Sequence, residues 1–238
     1  MEQVDILAIG AHPDDVEIGM GGTIAMHVSL GFKVGIIDLT RGELGTNGTP
    51  EQRIEEGEQA REILGCTFRV NLGLPDGGVL VAKENTALIV EQIRQARPTL
   101  VFSTFYEDKH PDHVACGKLV EEAFFISGLK KFATPSPSHK PEQLIFYMVN
   151  PQIKPSFIVD ISKSYHIKKQ AVLAHRSQFF REEGSTATEL NKENGYPEPL
   201  AIRDKYIGLQ IGAAYGEGFL IKNVLPVNNL FSQWGKES

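Results

Sequence analysis

Two four-residue stretches hold the residues best suited to chemistry: His12-Pro13-Asp14-Asp15 and His110-Pro111-Asp112-His113. Adjacent carboxylates beside an imidazole are costly without a cation, because like charges raise each other's pKa. A divalent metal removes that cost. In the second stretch, histidines three apart share one face of a helical turn. Pro111 suits the first helical position, and Asp112 is placed to accept an imidazole N–H and fix its tautomer. Alone, a His-Pro-Asp reads as a turn with an N-cap, and a His-x-x-His as solvated surface. Together they supply imidazoles and carboxylates for a three-ligand site with open positions, which suits zinc. Two histidines and one carboxylate suit iron(II) by the same count. A spare carboxylate beside the ligands favours metal-assisted hydrolysis over oxygen chemistry. His27, His139, His166 and His175 read as ordinary helix or loop residues. His175 stands slightly apart, because Arg176, Ser177 and Gln178 follow it.

These residues need a frame that brings them together. Asp5 to Gly10 is a short apolar run that reads as a buried strand. A Gly-rich turn and a helix near Gly22 to Leu30, closed by Gly31, follow it. Further strands are predicted at Val34 to Leu39, Phe68 to Leu72 and Leu100 to Ser103. Helices are predicted at Pro50 to Leu64, stopped by Gly65, and at Glu84 to Ala96, before Pro98. The alternation makes an α/β, Rossmann-like fold: a mostly parallel sheet with helices on both faces. Ligands of such sheets bind beyond the carboxyl ends of the strands. Both motifs follow strands, so both fall at that edge. Asp14 and Asp15 point in different directions if the backbone there is extended.

A helix over Val114 to Ile126 closes a core of about residues 1–130. The C-terminal elaboration, about 131–238, begins with a Lys/Pro/Ser-rich loop, Lys130 to Pro141. It continues with strands at Leu144 to Val149 and Phe157 to Ile161 and a helix near Lys163 to Phe180. Glu182 to Pro199 is polar and reads as a short helix or a mobile lid, and Ile202 to Tyr215 as a last helix. The largely apolar run Phe219 to Phe231 reads as an interface or a core strand. No linker divides the chain, so 1–238 is read as one domain.

Composition narrows the function. Of 238 residues, 41% are hydrophobic and 23% charged, as in ordinary globular proteins. The formal charge of −6, with only the lysine pairs 130–131 and 168–169 as basic clusters, argues against nucleic acid. No apolar stretch approaches the roughly 20 residues that cross a bilayer, and the first ten residues carry no targeting pattern. Cys66 and Cys116 stand alone, which argues against a thiolate zinc site and fits a reducing, cytoplasmic setting. Gly19, Gly21 and Gly22 sit where a dinucleotide loop would be, but acids at that helix start would repel a pyrophosphate.

Ala11 to Glu17, the His110 to His113 motif and the His175-Arg176-Ser177-Gln178 stretch resemble the PIG-L/LmbE-like deacetylases across nearly the whole chain. The Thr40 to Glu43 loop and the Gly45 to Arg53 stretch are most similar to the bacillithiol branch, whose substrate is N-acetylglucosaminyl-malate. The resemblance implies an N-deacetylase acting on linear amide bonds of a small amino-sugar conjugate, with zinc as cofactor. It implies His12, Asp15 and His113 as metal ligands and Asp14 as general base. His110 becomes the electrostatic partner of the oxyanion, and Asp112 holds its ring. Arg53 becomes the residue that binds the malate carboxylate, against the plainer reading of a surface ion pair with Glu56. It further implies a homo-oligomer as large as a hexamer. One departure stands out: Asp108 occupies the position where mycothiol-pathway relatives carry a tyrosine, which leaves Tyr106 or Tyr196 to assist an oxyanion. Two alternatives remain, a deacetylase of another N-acylglucosamine such as a chitin fragment, and a non-catalytic metal-dependent sugar-binding protein. The latter has no use for a second carboxylate beside Asp15.

Overall fold

In the computed structural model, which describes residues 1–150, 154–181 and 183–225, one seven-stranded sheet organises the chain. Its order is β3 (Phe68–Leu74), β2 (Val34–Thr40), β1 (Ile6–Gly10), β4 (Leu100–Thr104), β5 (Gln143–Tyr147), β7 (Gly216–Leu220) and β6 (Phe157–Asp160). The first five strands are parallel, and β7 runs antiparallel to both of its neighbours. β1 and β2 are buried at every residue, as expected of strands covered on both faces.

Alternate residues feed two cores. Leu7, Ile9, Ile37, Val101 and Phe146 pack under α3 (Lys83–Ala96) and α4 (Pro111–Ser127). Ile6, Ala8, Ile36, Phe102 and Tyr147 pack under α1 (Asp15–Ser29), α2 (Pro50–Leu64) and α5 (Tyr165–Ala174). The period of two along each strand divides the faces. Neighbouring β1 and β4 feed helices on opposite faces, and a crevice opens at their carboxyl ends.

Three expectations need correction. α1 begins at Asp15, not near Gly22, so Gly19, Gly21 and Gly22 lie inside it. The break that glycines cause is local: Met20 has φ −149, and the N–H groups of Gly22 and Thr23 donate to the Glu217 carboxylate at 3.0 and 2.7 Å. The helix expected over 163–180 is two, α5 and α6 (Arg176–Phe179), parted at His175. The last helix is α7 (Glu198–Leu209), and it stops before β7. Phe219 is a buried β7 residue; Glu182 and the 226–231 part of the apolar run lie outside the described residues.

Candidate active site

The first motif leaves β1 at Gly10 and enters α1 through Asp14, whose φ of 118 is left-handed and therefore strained for a residue with a side chain. Asp15 is the first helical residue. The two carboxylates diverge because of this turn, not because the backbone is extended. Asp15 Oδ2 accepts from the Ala11 and His12 N–H groups at 3.0 and 2.9 Å, and Oδ1 lies 3.0 Å from His113 Nε2. Burial penalises its charge, yet His113 and His12 hold the carboxyl well below the usual range. Asp14 turns the other way, to Arg53 Nη2 at 3.4 Å. Burial raises its carboxyl to about 6, against the pull of Arg53.

The second motif starts α4. Thr104 Oγ1 donates to His113 O at 2.8 Å, which ties the first turn of the helix to the end of β4. His110 is the N-cap, and its Nδ1 accepts from the Asp112 N–H at 3.3 Å. Its remaining ring proton therefore sits on Nε2. Burial and the neighbouring His12 and His113 hold His110 below the ordinary imidazole value. The three rings of His12, His110 and His113 lie 4.7 to 5.4 Å apart between centroids.

A cation fits this donor set. Each imidazole near Asp15 has a carboxylate behind its far nitrogen, the pattern that orients histidine ligands. His12 Nε2 is 3.0 Å from Asp76 Oδ1 and 3.3 Å from Asp112 Oδ2, which leaves Nδ1 facing Asp15 Oδ2 at 3.5 Å. His113 Nδ1 is 3.3 Å from Asp108 Oδ2, which leaves Nε2 facing Asp15. Ligand atoms of His12, His110 and His113 also lie within 4.8 Å of one another. Asp15 therefore sits between His12 and His113, and His110 adds a third nitrogen at the same place.

Asp112 departs from its expected role. Its carboxylate accepts from the Gly77 and Val79 N–H groups at 2.7 and 3.2 Å and meets His12, so it holds the ring of His12 rather than that of His110. Arg53 is not in a surface pair with Glu56. It is 4% exposed, and it donates to Pro13 O at 2.7 Å and Gly42 O at 3.1 Å as well as to Asp14. Glu56 accepts instead from the Ser177 N–H and hydroxyl, both at 2.7 Å. Gly42, at φ 67, is held to glycine because a methyl group there would meet the guanidinium.

A cavity of about 540 Å³ opens over the two motifs. Arg53 and Lys109 are its cations, and Ile18, Val149, Leu190 and Leu200 form an apolar wall. The polar segment expected to act as a lid supplies Glu189 and Leu190 to the lining, and Gln178 joins them. Neither Tyr106 nor Tyr196 lines the cavity. Tyr106 packs on Phe105 and Phe146, and the Tyr196 hydroxyl donates to Asp204 at 3.2 Å. His175 is fully buried with its Nε2 3.5 Å from Glu17 Oε2, part of a network with Arg69 and Asp38 rather than of the histidine cluster.

Sequence reasoning missed Asp76 and Asn150 and gave Asp108 no role. Asn150 lies 3.3 Å from His113 Nδ1 and donates to Asp108 at 3.0 Å. Asp76 had a signal: Pro75-Asp76-Gly77 is a turn that follows β3 at the same sheet edge.

The family model PIG-L, GlcNAc-PI de-N-acetylase, matches residues 7–124, which span both motifs. A diacetylchitobiose deacetylase of Thermococcus kodakarensis is 34% identical over 73% of this chain and 70% of its own length. A mycothiol S-conjugate amidase of Streptomyces coelicolor is 32% identical, and there the match spans about half of that relative, 52%. Among solved structures, a conserved protein of Thermus thermophilus matches with a TM-score of 0.86 and 38% identity over 99% of this chain and all of its own. The N,N'-diacetylchitobiose deacetylase of Pyrococcus horikoshii matches with a TM-score of 0.79 and 28% identity over 94% of this chain and 87% of its own.

Proposed function

Because the chain belongs to the PIG-L family of de-N-acetylases, we propose that it hydrolyses the acetamide of N-acetylglucosaminyl-malate, the conjugate deacetylated in bacillithiol biosynthesis, releasing acetate and the free amine. The observation that carries this reading is the divergence of Asp14 from Asp15. Asp15 faces His113 and His12, while Asp14 faces the cavity and Arg53. A binding protein needs the first arrangement; only a reaction that moves a proton needs the second.

His12, Asp15 and His113 would hold zinc, with iron(II) as the other metal that suits the same donors. When bound, such an ion supplies Lewis acidity and lowers the pKa of a water toward about 7. Asp14 then takes the proton of the attacking water, a role open to a carboxylate kept near neutrality by burial. Arg53 holds Asp14 in place through Nη2. His110 donates from Nε2 to the carbonyl oxygen as that oxygen becomes negative. Burial and the neighbouring His12 and His113 favour its neutral form, which still carries that Nε2 donor. Asp14 returns its proton to the departing nitrogen.

Arg53 and Lys109 are assigned to the malate carboxylates, because a cation at the cavity is what separates an acidic aglycone from a neutral sugar. The apolar wall favours a second reading, a chito-oligosaccharide whose sugar faces pack on aliphatic side chains. The likeness to diacetylchitobiose deacetylases supports that reading too. Competition decides between them. With N-acetylglucosaminyl-malate and N,N'-diacetylchitobiose present together, the first reading expects amine release from the malate conjugate to dominate. Preferential cleavage of the disaccharide would replace it with the second. A cytoplasmic setting is part of the same proposal; both cysteines are buried free thiols, and no described helix is long and apolar enough to cross a membrane.

A further inference from the structure

Asp76 belongs to neither motif, yet its side chain is only 7% exposed and both of its carboxylate oxygens have partners. Oδ1 lies 3.0 Å from His12 Nε2. Oδ2 accepts from the Leu44 N–H at 2.8 Å. Its own N–H donates to Glu43 Oε1 at 3.0 Å, and Glu43 Oε2 accepts from the Arg41 N–H at 3.2 Å. The loop after β2 is thus fastened to Asp76 at two points. That loop supplies Leu44 and Gly45 to the cavity wall, and its Gly42 carbonyl receives Arg53.

We propose that Asp76 is a positioning residue that sets two parts of the site at once: the ring of His12, and the loop of residues 41–45 that borders the substrate. The inference rests on the reading of His12 as a metal ligand. In the tautomer that leaves Nδ1 facing Asp15, His12 Nε2 carries the ring proton, so Asp76 meets two N–H donors, and among side chains of this size only a carboxylate offers a separate oxygen to each. An Asn has one acceptor. If its oxygen stays on Leu44, its NH₂ faces His12 Nε2 and drives the ring proton to Nδ1, the nitrogen that faces Asp15. If its oxygen stays on His12, the NH₂ opposes the Leu44 N–H and displaces the loop. Asp112, at 3.3 Å, also meets His12 Nε2, but it is anchored by Gly77 and Val79 and does not touch the loop.

The test measures zinc affinity on metal-stripped protein by competition with a chromophoric chelator, and KM at saturating zinc for N-acetylglucosaminyl-malate and for N,N'-diacetylchitobiose. Wild type, Asp76→Ala, Asp76→Asn and His12→Ala are compared, with the unfolding midpoint of each metal-free protein as the check on folding. Asp76→Ala is expected to lose about tenfold or more in zinc affinity, the usual scale for a residue behind a ligand, and to raise KM. The metal-free unfolding midpoint should stay close to that of wild type. Should Asp76→Ala fail to fold, Asp76→Asn carries the test, because it is expected to lose in at least one of the two readings. Zinc affinity and KM both within twofold of wild type in the folded variant would overturn the proposal. If His12→Ala also keeps its zinc affinity, the ligand reading itself has failed. If His12→Ala loses affinity while the folded Asp76 variants keep both zinc affinity and KM, the ligand reading stands and the role of Asp76 falls alone.

Discussion

Burial lifts the Asp14 carboxyl to about 6, and only its carboxylate form accepts a proton. In the proposed role, kcat/KM falls about tenfold per unit as the medium is acidified below the pKa of Asp14 in the working enzyme. A bound cation favours the carboxylate, so this acid limb is expected at or below pH 6. Asp14→Asn should keep zinc affinity, lose about 10²-fold or more in turnover, and lose the limb. Arg53→Ala removes the cation from Asp14 and is expected to move the limb upward while lowering kcat. Lys109→Ala is expected to raise KM for the malate conjugate and to leave diacetylchitobiose unchanged. His113 carries a second signature. Burial would lower its pKa, but Asp15 and Asp108 raise it to about 9. His12 is raised well above its ordinary value too: burial would lower it, but Asp112, Asp15 and Asp76 outweigh that. Zinc must therefore displace protons from both rings, and apparent zinc affinity should climb steeply with pH through the neutral range. The motif residues were legible because each His or Asp sits beside a strand end. Asp76 also follows a strand end, but its pairing with His12, like that of Asn150 with His113, joins segments that only tertiary structure brings alongside.

The parallel strands were readable from apolar runs because strands buried on both faces have little alternation to hide. The start of α1 was not. Three glycines and a left-handed Asp14 hide a helix whose own propensity is poor. Its glycines answer to packing: a methyl group on Gly19 would fall inside the ring of Tyr147, whose hydroxyl donates to Ile9 O at 2.9 Å. Gly→Ala in a helix ordinarily stabilises by about 0.5–1 kcal/mol. Overpacking costs about 1–3 kcal/mol, so the clash should win. Gly19→Ala is expected to lower the urea midpoint and, because α1 carries Asp15, to weaken zinc binding with it. β7 was missed for a related reason. Gly216, Glu217 and Gly218 are poor strand formers, and the Glu217 carboxylate is tolerated there because Lys168 Nζ lies 2.8 Å away.

Across the whole molecule, buried ionised groups tie helices to one another and to the strands beneath them. Glu17 and Asp38 share Arg69, and Asp204 and Glu217 share the fully buried Lys168. Burial penalises the charge of Glu17, yet Arg69 brings its carboxyl down to about 2 from an ordinary 4.5. A folded-state pKa below the unfolded one means stability present above pH 4.5 and lost as the pH falls toward 2. For Glu17 the loss is on the order of 3 kcal/mol. Asp15, Asp108 and Asp204 are lowered as well and act in the same direction. The urea midpoint of metal-free protein should therefore fall steadily between pH 4.5 and 2. None of these partnerships was visible in the chain: Glu17 and Arg69 lie 52 positions apart, and Lys168 read only as half of a basic lysine pair.

Two motifs 98 residues apart, reckoned from His12 to His110, meet at one sheet edge, and the proposed hydrolysis stands or falls on what they do there. The direct measurement is metal content of the purified protein together with amine release from N-acetylglucosaminyl-malate, before chelation, after it, and after zinc is restored. About one zinc per chain, release abolished by chelation and release recovered with zinc are the predicted results. Protein that binds no metal, or that releases amine equally well with chelator present, would contradict it.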